Sequence, residues 1–201
     1  PEMRHQNYEY AAMVYVLDEN VGRILSKIED LGISDHTVVF FFSDNGGYIG
    51  EYDGKFVTNN DPLRSGKGSA YEGGIREPLI VRWPGVTQPG SVCDELVISN
   101  DFHPTFLEIV GLQDALPEGV DGCSLVPLLE DPNAELDRDS LYFHYPHYYH
   151  TTSPVSAVRR GDWKLLKFYE DGHLELYNLK DDLGEQNNLA QKFPEHAAKL
   201  H

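Results

Sequence analysis

The chain has 201 residues, with 16 lysines and arginines against 33 aspartates and glutamates, a net charge of −17. That balance excludes a nucleic-acid binder, which needs a basic face to displace counterions, and a protein that docks on anionic membranes. Hydrophobic residues make up 40%, enough for a packed core, and no apolar run approaches the roughly 18 residues of a membrane span.

Residues 8–31 are predicted to form an amphipathic helix. Val14, Leu17, Val21, Ile24, Ile28 and Leu31 step by three and four along one stripe, and Gly32 is placed to stop it. The run from Thr37 to Ser43 is unbroken β-former and predicts a strand covered on both faces. It ends in Asp44-Asn45-Gly46-Gly47. Residues 46–75 are rich in Gly, Asp, Asn and Ser, and a loop that long inside a domain is usually functional. Pro78–Trp83 reads as a second buried strand. Asp101 is predicted to cap a helix that has Pro104 in its first turn and runs to Val110.

After about residue 136 the pattern changes. Leu141–Tyr145, Val155–Arg159, Trp163–Tyr169 and Leu174–Leu179 are short strand-like runs, with hairpin signals at Gly161-Asp162 and Asp171-Gly172. Pro194 opens a final helix. The charge divides at the same place. Residues 1–135 carry 8 basic and 23 acidic side chains, and residues 136–201 carry 8 and 10. The expected organisation is therefore an α/β layer over 1–135 and a small antiparallel-sheet subdomain over 136–201. The first residue is Pro1, and the chain reads as a piece of a longer one. Cys93 and Cys123 are expected as free, buried thiols; a disulfide would need an oxidising compartment.

Three groups could carry chemistry. Asp44 and Asn45 stand at the carboxyl end of a predicted sheet strand, where ligands of open α/β sheets bind. Together they offer two hard oxygens suited to Ca²⁺ or Mg²⁺, or they form a plain Asx turn. Lys67, in Gly66-Lys67-Gly68-Ser69, fits no P-loop. It can present a point charge to an oxyanion or be an ordinary loop lysine. His144, His147 and His150 lie in His144-Tyr-Pro-His-Tyr-Tyr-His150, which could line a sugar site or be solvated; Pro146 argues against a helical zinc pair. Glu72 and Arg76, four apart, suggest an ion pair that holds the loop against the next strand.

In this order the motifs resemble the sulfatase family of the alkaline-phosphatase-like superfamily. The resemblance covers almost the whole chain. It runs from Tyr10-Ala-Ala-Met-Val and Leu17-Asp18 through Ser43-Asp44-Asn45-Gly46 to Gly66-Lys67-Gly68 and Tyr71-Glu72-Gly73-Gly74-Ile75-Arg76-Glu77-Pro78. It continues in Trp83-Pro84-Gly85, Asp101-Phe-His-Pro-Thr105, Arg160-Gly161-Asp162-Trp163-Lys164-Leu165 and Leu176-Tyr177-Asn178-Leu179.

The resemblance implies a central mixed sheet flanked by helices. It implies that Asp44 and Asn45 are two ligands of a divalent cation, usually calcium, and that Lys67 contacts the sulfate. His144 and His147 match a segment that approaches the substrate in carbohydrate-acting members. The family's nucleophile is a formylglycine made within Cys/Ser-x-Pro-x-Arg, and this sequence has no such motif. The expected function is thus the C-terminal portion of an enzyme acting on a sulfated small molecule or glycan, inactive without the preceding part. A periplasmic or secreted location and some self-association through an open sheet edge go with it. The alternatives are a phosphodiester or phosphonate hydrolase of the same superfamily, or a non-catalytic glycan-binding module.

Overall fold

The computed structural model describes residues 7–201. Asn7 opens the first helix, its side chain accepting from the backbone N–H groups of Glu9 and Tyr10. The helix, α1, spans Tyr8–Asp30, ahead of Gly32. Its apolar stripe forms as the spacing predicts, yet no residue of α1 is buried. Leu17 is 53% exposed and Ile24 61%.

β1 (Val39–Phe42) leads into the long loop. The loop holds a minimal hairpin, β2 (Glu51–Tyr52) with β3 (Lys55–Phe56), and one helical turn, α2 (Glu72–Ile75). β4 (Leu79–Arg82) follows and pairs antiparallel with β1, Phe40 opposite Val81. The expectation that both strands are covered on both faces is corrected. One side of β1 meets α3 (Phe102–Ile109), where Phe40 stands edge-on to Phe102 and Phe106 at 5.7 and 5.0 Å. Phe41 and Ile80 point the other way and are exposed. Period two places them together on the opposite face of the pair.

Asp101 precedes α3 but does not cap it with its side chain. Its fully buried carboxylate instead accepts from the backbone N–H of Ile98 and Cys123, at 2.8 and 2.9 Å, and from two N–H groups of Arg138. The carboxylate thus keeps one local bond, to Ile98 three residues back, and a charged partner, not the N–H groups of α3, takes most of its remaining capacity. Thr105 extends the knot by accepting from Leu125, just before α4 (Val126–Glu130). Cys93 and Cys123 are free thiols as expected, but Cys93 is exposed and Cys123 only half-buried.

The core lies in the last third. β5 (Leu141–Tyr145), β6 (Val155–Arg160), β7 (Trp163–Phe168) and β8 (Leu174–Asn178) form an antiparallel meander, with both predicted turns in place. Alternation divides its side chains between two faces. Val155, Ala157, Leu166, Phe168 and Tyr177 pack on Ala70 and Tyr71 of the long loop. On the other face, Val158, Leu165 and Leu176 pack on Ala197 of α5 (Pro194–Leu200). The fold is mixed α/β with a small antiparallel sheet and a terminal helix, as predicted. No helix among the described residues is long and apolar enough to cross a membrane.

This distribution predicts where substitutions hurt. Leu166→Ala, at a side chain with no exposure, should cost about 2–5 kcal/mol of unfolding free energy. Leu17→Ala in α1 should change it by no more than about 0.5 kcal/mol. Urea unfolding of the two variants checks both.

Candidate functional site

β1 ends at Phe42 and the chain turns sharply. Ser43 donates to the Asn45 carbonyl, and the Asn45 amide donates to that of Gly46, each at 3.0 Å. The Gly46 N–H then reaches the Gly74 carbonyl at 3.2 Å. Gly46 is buried, and a Cβ there would run into the Gly73 carbonyl, so only glycine allows this approach. One residue on, Gly47 is clamped by Asn60. The Asn60 side chain accepts from Gly47 N–H, and donates to the carbonyls of Gly47 and Ser65, at 2.9–3.1 Å. Lys67 N–H also donates to Gly47, at 3.1 Å. Asn45 and Lys67 are thereby brought to neighbouring backbone segments.

The Lys67 side chain is exposed, between the buried Gly66 and Gly68 at φ +79°. An exposed ammonium on a hydrogen-bonded backbone suits contact with an oxyanion. Asp44 is exposed and Asn45 half-buried. Glu77 lies near enough to feel Asp44. Burial first, and the charge of Asp44 second, push its carboxyl up to about 7. The place disfavours a second negative charge, and its donors are hard oxygens, which fits a divalent cation at Asp44 and Asn45. Among the described residues no three His, Cys, Asp or Glu side chains gather where they could hold a metal ion.

His144 and His147 are exposed on and just after β5. The His144 ring nitrogen Nδ1 is 2.7 Å from the Ser156 hydroxyl, and His147 stands edge-on to Tyr145. The part of this segment that touches the Lys67 loop comes later. The Thr151 hydroxyl donates to the Lys67 carbonyl at 2.8 Å, the Tyr149 ring fills the space beside Gly68, and His150 meets Tyr48 at 5.1 Å. Of the three histidines read from the sequence, only His150 is in contact with the residues around Gly47.

Beneath the loop lies a group of buried charges that periodicity did not reveal. Glu72, paired in expectation with Arg76, has that partner at 3.6 Å but a closer one in Lys164, at 2.9 Å. Lys164 is fully buried in β7 and also meets Glu185 at 2.9 Å. Burial pushes the Glu185 carboxyl up, and the nearby Lys164 opposes this. Beside them, the hydroxyls of Tyr71 and Tyr177 both donate to Glu175, at 2.6 and 2.9 Å, under the Arg64 guanidinium. Burial and the Glu175 charge hold both phenols above their ordinary range. The one sequence signal was a lysine at an inward-facing strand position.

Two family models match the chain. The one described as Sulfatase matches residues 3–112, and the one described as N-sulphoglucosamine sulphohydrolase, C-terminal, matches residues 66–200. The chain belongs to the sulfatase family. It is 42% identical over 95% of its length to a sulfatase of Formosa agariphila, and 34% identical over 94% to the N-acetylglucosamine-6-O-sulfatase of Bacteroides thetaiotaomicron. It covers 37% and 33% of those two proteins, so it spans about a third of the curated relatives it matches. Among solved structures it resembles a complex with the substrate D-glucosamine-2-N,6-O-disulfate, with TM-score 0.75 and 30% identity, covering 93% of this chain and 37% of the other. It also resembles Ps i-CgsB bound to k-i-k-neocarrahexaose, with TM-score 0.77 and 28% identity, covering 95% and 40%.

The Glu77 environment has a measurable consequence in this sulfatase chain. Its ordinary value is 4.5 and its folded value about 7. Between these the native state keeps a proton that the unfolded state has released, so stability is full below about pH 4.5 and falls as pH rises through 7. Urea unfolding between pH 5 and 8, with a chelator present, should show that slope in the wild type and a flatter one in Glu77→Gln.

Proposed function

We propose that this chain is the C-terminal part of an enzyme that hydrolyses sulfate esters on glycans. The observation that carries this is the juxtaposition of Asp44-Asn45 with Lys67. The Gly46–Gly74 and Lys67–Gly47 hydrogen bonds hold it within a chain of the sulfatase family. The relatives named for glycan sulfate groups, and the similar structure solved with a disulfated glucosamine, support the substrate class.

The oxygens of Asp44 and Asn45 would hold the divalent cation, expected to be calcium, which supplies positive charge to the sulfate's non-bridging oxygens. Lys67 binds the same sulfate from a fixed loop as a second cation. Because the loop is already ordered, its charge needs no reorganisation when the S–O bond begins to break. The Tyr149–Thr151 stretch borders Lys67 and offers aromatic and hydroxyl contacts to the sugar; His144 and His147 extend that border along β5. The formylglycine nucleophile would come from the part of a parent chain that precedes these residues. The bare face of α1 and the uncovered sides of β1 and β4 support this reading, since they are surfaces that a larger α/β layer covers. A periplasmic or secreted parent goes with it.

The purified 201-residue chain should hydrolyse neither an aryl sulfate nor a sulfated glucosamine, and the full-length parent should hydrolyse at least one. In the parent, Asp44→Ala and Lys67→Ala should each lower kcat/KM by about 10²–10³, the range for removing one preorganised charge contact. Unchanged kinetics in both variants, or preference for a phosphodiester assayed in parallel, would sink the sulfatase reading.

A further inference from the structure

We propose that Lys164, held between Glu72 and Glu185, is a positioning residue for the loop that carries Lys67. The inference rests on the reading of Lys67 as the sulfate-binding lysine and adds what sets its place.

Lys164 sits in β7 on the face that meets Ala70 and Tyr71, and its side chain has no exposure to water. Its two carboxylate partners come from different segments: Glu72 from α2 and Glu185 from the tail after β8. The tail residue is itself held. The Asp182 carboxylate accepts from the N–H groups of Gln186 and Asn187 at 2.7–3.0 Å, forming a tight turn around Glu185. Glu185 then takes the backbone N–H of Glu72 at 2.7 Å. Glu72 is therefore gripped at both its main chain and its side chain.

From Glu72 the constraint passes to the candidate site in two short steps. The next residue, Gly73, donates to the Arg64 carbonyl at 2.8 Å. Gly74 accepts from Gly46, one residue from Asn45, at 3.2 Å. Gly74 also packs so closely on Gly66 and Ser69 that a Cβ would overlap their carbonyl oxygens. Those two residues flank Lys67-Gly68. A displacement of Glu72 must shift both the Asn45–Gly46 turn and the Gly66–Ser69 stretch.

A buried ion pair is a weak source of net stability, since desolvation offsets most of the attraction. The hydrogen bond from Lys164 to Glu72 does fix distance and direction, because charge-assisted hydrogen bonds are short and directional, while Glu185 is held to Lys164 as an ion pair. Arg159 stands opposite Lys164 in register, and the fields of Glu72 and Glu185 reach it. Its Nε and Nη1 are buried without a hydrogen-bond partner among the described residues. It adds charge to the cluster but does not duplicate the two bridges of Lys164.

The test uses the full-length protein with Lys164→Met, and Glu185→Gln as the nearly isosteric second variant should the first fail to fold. Hydrogen exchange should quicken at least ten-fold at the amides of Gly46, Lys67, Glu72 and Gly73, while Val158 in β6 and Leu166 in β7 keep their protection. With a sulfate ester as substrate, kcat/KM should fall at least ten-fold, and the fall should shrink in a Lys67→Ala background, because part of the strut's effect acts through Lys67. Exchange that quickens throughout the sheet, loop amides that do not change, or losses that multiply in the double variant would each overturn the proposal. If the wild-type protein hydrolyses no sulfate ester, the functional reading fails, while the exchange measurement still decides whether Lys164 positions the loop.

Discussion

A lysine ammonium without access to water is the constraint on which the site depends. Lys164 can be buried in β7 only because two carboxylates come to it, one of them on a residue 92 positions away. Removing one member of such a group typically costs about 3–5 kcal/mol, a large share of the roughly 5–15 kcal/mol that keeps a domain folded. Apolar side chains could fill the same volume without that penalty, but they carry no directional contact between loop and sheet. The ionic contacts select one placement. Around them, Tyr71 and Tyr177 bond to Glu175, and Arg64 lies on the Tyr71 ring at 3.8 Å, so the loop meets the sheet through directional contacts as well as packing.

What the sequence makes legible follows from the range of the forces involved. The β5–β8 meander is local. Its turn residues at Gly161-Asp162 and Asp171-Gly172 and its alternating strands could be read directly, and they stand within a residue of their expected bounds. The α1 stripe is local too, but burial is not: the spacing of Val14, Leu17 and Ile24 reports which face is apolar, not whether anything covers it. The same distinction explains Phe41 and Ile80. Asp101 looked like a helix cap because caps are recognised by neighbours, whereas Arg138, 37 positions on, takes its carboxylate. Glu72 with Arg76 was visible at helical spacing. The bridge from Glu72 to Lys164 crosses from the loop to the sheet, and no periodicity reports it.

The candidate site mixes both kinds of information. Asp44-Asn45 and Gly66-Lys67-Gly68 are local motifs, and their chemistry can be argued from residue type. Their meeting is a tertiary fact. It depends on Asn60, whose single amide spans Gly47 and Ser65, and on Gly46, whose missing Cβ admits the Gly73 carbonyl. The histidine segment shows the same limit. Its composition suggests a sugar-binding border, but only the chain path shows that Tyr149, His150 and Thr151 reach the Lys67 loop while His144 turns to Ser156.

On the proposed reading, the acidity of the first 135 residues, with 23 carboxylates against 8 cations, must be reconciled with an anionic substrate. Screening limits it: at physiological ionic strength an exposed charge is felt only within about 8 Å. At the proposed cation corner the two coupled carboxylates are Asp44 and Glu77. The fold already resists ionising both, since burial and the Asp44 charge push Glu77 up to about 7. On the proposed reading, a divalent cation on Asp44 and Asn45 reverses the sign of that corner. The two carboxylates that would repel a sulfate then become the reason a cation stays, and Lys67 faces the sulfate from a loop whose position Lys164 sets from below.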